Sequence, residues 1–336
     1  MSSLTTPVVI IIFNRPDLTQ IVFNAIQKAQ PKQLFVIADG ARFPEEVEKC
    51  QQARDVIKRV DWDCQVLTNY ADANLGCRQR VSSGITWVFE QVEEAIILED
   101  DCLPHPSFFR YCQELLDYYR EDERIWCISG DNFQDEQWRG DGSYYFSNYN
   151  HGWGWATWRR AWQHYDHDLT NWEKFRDAQY LKYILDSELE VMYWRSIFEE
   201  MFNRRDQRNI WDYLWTLSVW QNSGLTILPN VNLISNIGFR ADGTHTLGES
   251  KLANLPVQDI GEIHHPSFLV RDREADQYTF DHVFGGKAIK EANTFLGQMK
   301  AHLSISKGRI IRLFTDSIGL FSALRRQILV KDPIDT

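Results

Sequence analysis

Two continuously apolar runs, Val8-Val9-Ile10-Ile11-Ile12-Phe13 and Ala95-Ile96-Ile97-Leu98, restrict the possible folds of this chain more than any other feature. A strand with one wet face alternates apolar and polar side chains, so a strand with no polar face must be covered on both sides. Both runs belong to a longer alternation of strand-like and helix-like segments: Val8 to Phe13, Pro16 to Ala29, Leu34 to Asp39, Pro44 to Val60, Cys64 to Thr68, Gly76 to Gln91 and Ala95 to Glu99. That order implies βαβ units, a mostly parallel sheet and an α/β fold class. A helix is expected over Ser107 to Tyr119, where apolar residues recur at helical spacing, and a further strand over Ile125 to Ser129.

Ligands of open α/β sheets bind beyond the carboxyl ends of the strands. The residues to watch are therefore Asn14 and Arg15, Asp39 and Gly40, Asn69 and Tyr70, and Glu99 to Asp101. Glu99-Asp100-Asp101 places three consecutive carboxylates at one strand end, where side-chain alternation points Glu99 and Asp101 one way and Asp100 the other. Such a cluster is self-repelling without a cation, and a hard divalent ion, Mg²⁺ or Mn²⁺, that also bridges phosphates would relieve it. The same residues would equally suit an acidic strand end in solvent.

The run Ile96-Ile97-Leu98-Glu99-Asp100-Asp101, then Pro106-Ser107-Phe108-Phe109, then Ile125-Trp126-Cys127-Ile128-Ser129, resembles the GT-A nucleotide-diphospho-sugar transferases. The likeness is greatest to the N-acetylglucosaminyltransferase I group and to bacterial glycosyltransferases that open with a strand followed by Phe-Asn-Arg-Pro. It covers roughly Val8 to Thr246 by order of motifs. It implies a Rossmann-like mixed, mostly parallel sheet flanked by helices, with residues 1–250 as the catalytic domain (1–130 nucleotide-binding, 131–250 acceptor-binding) and a mainly helical extension over 251–336.

By that resemblance Asp101 would bind the metal, Asp100 would face the ribose and Glu99 the transferred sugar. Asp39 would bind the nucleobase, whose imide N–H a carboxylate can accept, although an Asp-Gly turn accounts for the residue as well. Arg78 and Arg80 lie near a helix start that suits a diphosphate, and Arg78 matches the family's phosphate-binding arginine, with a one-turn ambiguity.

The stretch His151-Gly152-Trp153-Gly154-Trp155-Ala156-Thr157-Trp158 resembles the family's Gly-x-Gly-Trp segment beside the sugar. Trp153 and Trp155 are the candidates there, while Trp158, Trp162, Trp172 and Trp194 are read as core. In Ile210-Trp211-Asp212-Tyr213, Asp212 matches the catalytic aspartate, and an early-turn aspartate of a helix running to Trp220 is the alternative. His245 is a candidate contact to the metal or the diphosphate.

A net charge of −11 argues against broad nucleic-acid binding. The expected partners are a nucleotide-sugar donor, with UDP-N-acetylglucosamine as the family-based expectation, and a glycan or glycoconjugate acceptor. Six cysteines without a CxxC pair, and no cationic export signal over Met1 to Thr6, lead to the expectation of reduced thiols and a cytoplasmic location. The tail from Lys300 to Thr336 holds seven basic residues against three acidic ones, which suits peripheral contact with an anionic membrane or a helix packed on the catalytic domain. Competing readings are a sugar nucleotidyltransferase, disfavoured because Val8 to Asn14 lacks a glycine-rich loop, a carbohydrate-binding protein without chemistry, and a metal-dependent phosphatase.

Overall fold

A computed structural model describes residues 4–204, 209–240 and 250–292. Its centre is an eight-stranded sheet whose first half follows the alternation read from the sequence. Strands β1 (Val8–Ile12), β2 (Gln33–Ala38), β3 (Gln65–Tyr70) and β4 (Glu94–Glu99) pair in parallel in the order β3-β2-β1-β4. Helices α1 (Pro16–Ala29), α2 (Val47–Ile57) and α3 (Cys77–Phe89) make the crossovers. Pro16 occupies the first turn of α1, where its missing N–H costs nothing, and Asp17 beside it favours the positive end of the helix dipole.

In the second half the expected helix after the acidic triplet and the expected strand Ile125–Ser129 are present, while β7, β8 and the sheet order carried no sequence signal. A short β5 (Cys102–Pro104) and helix α4 (Pro106–Tyr118) lead to β6 (Ile125–Ser129), β7 (Tyr144–Ser147) and β8 (Trp155–Trp158). Then come short helices α5 (Arg159–Trp162), α6 (Trp172–Asp177) and α7 (Leu181–Ile184), followed by the longer α8 (Glu188–Asn203) and α9 (Asp212–Gln221). Strand β9 (Leu225–Pro229) joins the main sheet, β10 (Ile234–Asn236) pairs with β5, and α10 (Arg273–His282) follows.

β8 enters antiparallel between β4 and β6 and completes the order β4-β8-β6-β9-β7, so the sheet is mixed. Two antiparallel steps leave β6 running in the direction of β4, and their carboxyl ends meet at one edge. One sheet thus spans both expected halves of the catalytic domain, and residues 259–272 pack back onto it through Ile263 and the Phe146–Arg271 bridge.

Alternation along the covered strands divides the interior in two. Val8, Ile10, Ile12, Leu34, Val36, Ile96 and Leu98 face α1, α2 and α4. Val9, Ile11, Phe35, Ile37 and Ile97 face α3 and the aromatic layer from α5 to α9. Trp158, Trp162, Trp172 and Trp194 are core, as read, and so is Trp155, which β8 places under Trp211 with rings 5.5 Å apart. The functional reading of Trp155 is therefore corrected: in-register pairing with Ile97 and Ser129 turns it inward. Among the described residues no helix is long and apolar enough to cross a membrane. His245 and the tail from Lys300 to Thr336 lie outside the described residues.

Candidate active site

The carboxyl ends of β1, β2, β4 and β6 deliver Arg15, Asp39, Glu99 to Asp101, and Asp131 to one edge of the sheet. The acidic triplet does not stand unneutralised there. The Arg15 guanidinium pairs with Asp100 through Nη2 and with Asp101 through Nη1 at 2.9 Å, with all three side chains largely buried. The Phe13 backbone N–H adds a bond of 3.4 Å to Asp100 Oδ2. The sequence places Arg15 only near the ligand edge, and the structure makes it the internal counter-charge of the cluster.

Burial pushes the Asp100 carboxyl up to about 6 against the opposing pull of Arg15. Glu99 is pushed further, to about 8, by burial first and then by the negative charge of Asp101 and Asp100. Asp101 is enclosed from the other side. Its backbone carbonyl accepts from Ile237 at 2.9 Å, and the Gly238 backbone comes so close that a Cβ there would lie 2.1 Å from Asp101 Oδ2. Only glycine permits that approach.

For a divalent ion, Glu99 and Asp101 offer hard oxygen donors of the right chemistry. Among the described residues no three His, Cys, Asp or Glu side chains group closely enough to bind one unaided. A magnesium-type ion needs no such trio, since one or two carboxylates plus substrate phosphates serve it. An ion at Asp101 Oδ2 would take the place now held by Arg15.

Asp39 has a different set of partners from those expected. Oδ1 accepts from Gly40 N at 2.8 Å and Leu75 N at 2.9 Å, and Oδ2 accepts from Gly76 N and Asn74 Nδ2, both at 3.0 Å. These donors fill the roughly four acceptor sites of a carboxylate. Asp39 thus ties the loop before α3 to the end of β2, and a nucleobase would have to displace one of those donors.

The two arginines of α3 have different partners. Arg80 is buried and caps strand ends through Ala38 O at 3.1 Å and Asn69 O at 2.6 Å. Arg78 directs its guanidinium to the backbone carbonyl of His167, and its own N–H bonds Asn209 Oδ1 at 2.8 Å, so Asn209 caps the start of α3. At that start lies Cys77, a residue the sequence did not single out. Its thiol is pushed well above its ordinary range by burial and then by the negative charge of Glu99, Asp212, Asp39 and Asp101.

Asp212 opens α9, consistent with both of its readings. Its Oδ1 accepts from Tyr213 N at 2.9 Å, and burial raises the carboxyl above the ordinary aspartate range. Between Asp212 and the acidic triplet runs the turn carrying Trp153. Gly152 faces the Trp211 ring, while Gly154, at φ +70°, lies against Ile234 and Leu98. The Trp153 ring meets Phe133 and Phe239 edge-on at 5.4 and 5.6 Å. Below it sits Asp131, a fully buried carboxylate that accepts from Trp153 N at 3.2 Å. A lone Asp in Ser-Gly-Asp-Asn offered no periodic or motif signal for this placement.

No protein-family model matches the sequence, and no curated protein sequence matches it either. Among solved structures, S. aureus TarS (residues 1–349) is 10% identical with a TM-score of 0.40, over 67% of this chain and 58% of that one. Galactosyltransferase LgtC in complex with donor and acceptor sugar analogs is 12% identical with a TM-score of 0.34, over 72% and 92%. UDP-glucose pyrophosphorylase complexed with UDP-glucose is 10% identical with a TM-score of 0.31, over 48% and 78%. Backbone likeness at this level carries no functional argument, and the site is read from its own residues.

Proposed function

We propose that this chain is a divalent-metal-dependent, inverting glycosyltransferase of the GT-A type, moving a sugar from a nucleoside diphosphate to a hydroxyl of a glycan or glycoconjugate. The observation that carries the reading is the buried, arginine-clamped pair Asp100–Asp101 at the carboxyl end of β4, with the Gly238 backbone closed onto Asp101 and the Trp153 turn lying between Leu98 and Trp211. An acidic strand end in open solvent would show neither the burial nor the arginine clamp.

In this reading a divalent ion held by Asp101, with Glu99 beside it, supplies positive charge to the donor diphosphate. The acceptor oxygen bonds to the anomeric carbon as the bond to the diphosphate oxygen breaks, and the hydroxyl proton passes to Asp212. A partly buried carboxyl raised above its ordinary range is the better proton acceptor. Trp153 offers an apolar ring to a sugar face, and Asp39 keeps the loop at the start of α3 in place. UDP-N-acetylglucosamine is the proposed donor and the cytoplasm the proposed location, with Arg78 as the phosphate-side arginine.

The test is a panel of UDP-, GDP- and CDP-sugars, with and without Mn²⁺, read by mass spectrometry. Release of nucleoside diphosphate that stops in chelator supports the proposal, and Asp101→Asn abolishes it. Release of pyrophosphate from a sugar 1-phosphate and a nucleoside triphosphate would replace it with nucleotidyl transfer.

A further inference from the structure

We infer that Asp131 is the positioning residue that fixes the Trp153 turn over the site, an assignment that rests on the reading of Trp153 as a sugar-facing ring. The segment from Ser129 to Phe133 grips the turn at four points. Ser129 Oγ donates to His151 O at 2.9 Å, and Gly130 N donates to Gly154 O at 2.8 Å. Asp131 Oδ2 accepts from Trp153 N at 3.2 Å, and the Phe133 ring meets those of His151 and Trp153 at 4.6 and 5.4 Å.

Of these contacts, the one to the backbone of Trp153 itself comes from a side chain with no exposed surface. Its other oxygen, Oδ1, is buried without a hydrogen-bond partner among the described residues. A core does not retain such a group for packing, because an apolar residue of the same volume would avoid the cost of burying it. What the carboxyl supplies is a directed acceptor for one N–H, in a turn where Gly154 has left-handed backbone and no side chain to lock the path. With Asp131 in place, the Trp153 ring is set between Phe133 and Phe239; without it, the turn keeps its bonds at His151 and Gly154 but Trp153 itself loses its backbone anchor, and edge contacts tolerate tilting.

Burial holds the Asp131 carboxyl above the ordinary aspartate range, against the opposing pull of the Trp153 N–H. An amide reproduces both its shape and its acceptor. Asp131→Asn is therefore the conservative variant, whereas Asp131→Ser draws the acceptor back by one atom from the Trp153 N–H and Asp131→Ala removes it.

The experiment uses full-length protein labelled with 5-fluorotryptophan, with the Trp153 resonance assigned by Trp153→Phe and followed while UDP-N-acetylglucosamine and Mn²⁺ are added. The expected result is an unchanged Trp153 resonance in Asp131→Asn and a shifted or broadened one in Asp131→Ser. The Ser variant should also need at least tenfold more sugar nucleotide for the same response, with little loss of the maximal rate of donor turnover. Asp131→Ser with a native Trp153 resonance and native titration overturns the positioning role and leaves the proposed function standing. A wild-type Trp153 resonance that responds to no sugar nucleotide in a UDP-, GDP- and CDP-sugar panel overturns the sugar-facing ring, and this inference with it. Should the Ser and Ala variants fail to fold, Asp131→Asn decides, because a displaced Trp153 resonance there, with the acceptor oxygen kept, refutes the positioning role.

Discussion

Replacing Arg15 with Met tests the account of the acidic cluster where it is most exposed to refutation. Side chains of Arg15, Asp100 and Asp101 are only 14, 3 and 10% exposed, so solvent screens the ion pairs weakly. Removing one partner of a buried pair typically costs about 3–5 kcal/mol, because a charge remains buried without its counter-charge. Here two carboxylates are stranded, and against a usual domain stability of about 5–15 kcal/mol the loss is large.

The pH dependence fixes the cause. With Arg15 present, the Asp100 carboxyl is raised to about 6, so the stability linked to its proton is complete below about 4 and lost as pH rises through about 6. Without Arg15 the proton is held to higher pH, and the loss continues above 6. Wild type and variant should therefore differ little near pH 4.5, by the ~1 kcal/mol of lost hydrogen bonds, and diverge to about 3–5 kcal/mol at pH 8. Urea unfolding in chelator at both pH values measures this. A difference below ~1 kcal/mol at pH 8, or one independent of pH, would refute the clamp. Mn²⁺ added to the same samples should stabilise the variant more than the wild type, since the ion no longer competes with Arg15.

Asp212→Asn should keep donor affinity by calorimetry and lose turnover by about 10² to 10⁴, the usual cost of a missing general base; a product with retained anomeric configuration in NMR would overturn the mechanism. Gly154→Ala brings a Cβ to 2.4 Å from Ile234 Cδ1 at a φ of +70° and should destabilise by roughly 2–5 kcal/mol, from left-handed strain plus overpacking; a thermal midpoint within 1 °C or so of wild type would contradict that packing. Asp39→Asn swaps one acceptor oxygen for a donor facing the Leu75 or Gly76 N–H, so amide exchange over residues 74–76 should rise at least tenfold, about 1.4 kcal/mol or more of lost local stability. Unchanged exchange there would return Asp39 to the ligand side of the site.

The sequence alone determined the covered strands, because Val8 to Ile12 and Ala95 to Leu98 have no polar face, and that chemistry is local. It also placed Glu99 to Asp101 at a strand's carboxyl end, since strand length can be counted along the chain, and offered a helix start as one of two readings of Asp212. Other features depend on which distant groups meet. Arg15 reaches Asp100 across 85 positions and Asp39 reaches Gly76 across 37, while Asp131 reaches Trp153 across 22. Nothing in the pattern around Arg15, Asp39 or Asp131 encodes those partners. They are fixed only when β1 pairs in register with β2 and β4, and when β8 inserts antiparallel between β4 and β6. The same insertion buries Trp155 and leaves Trp153, two residues before it, in the turn beside the site. A one-residue change of register reverses the face of every side chain in a strand, so only the tertiary structure decided which tryptophan is core.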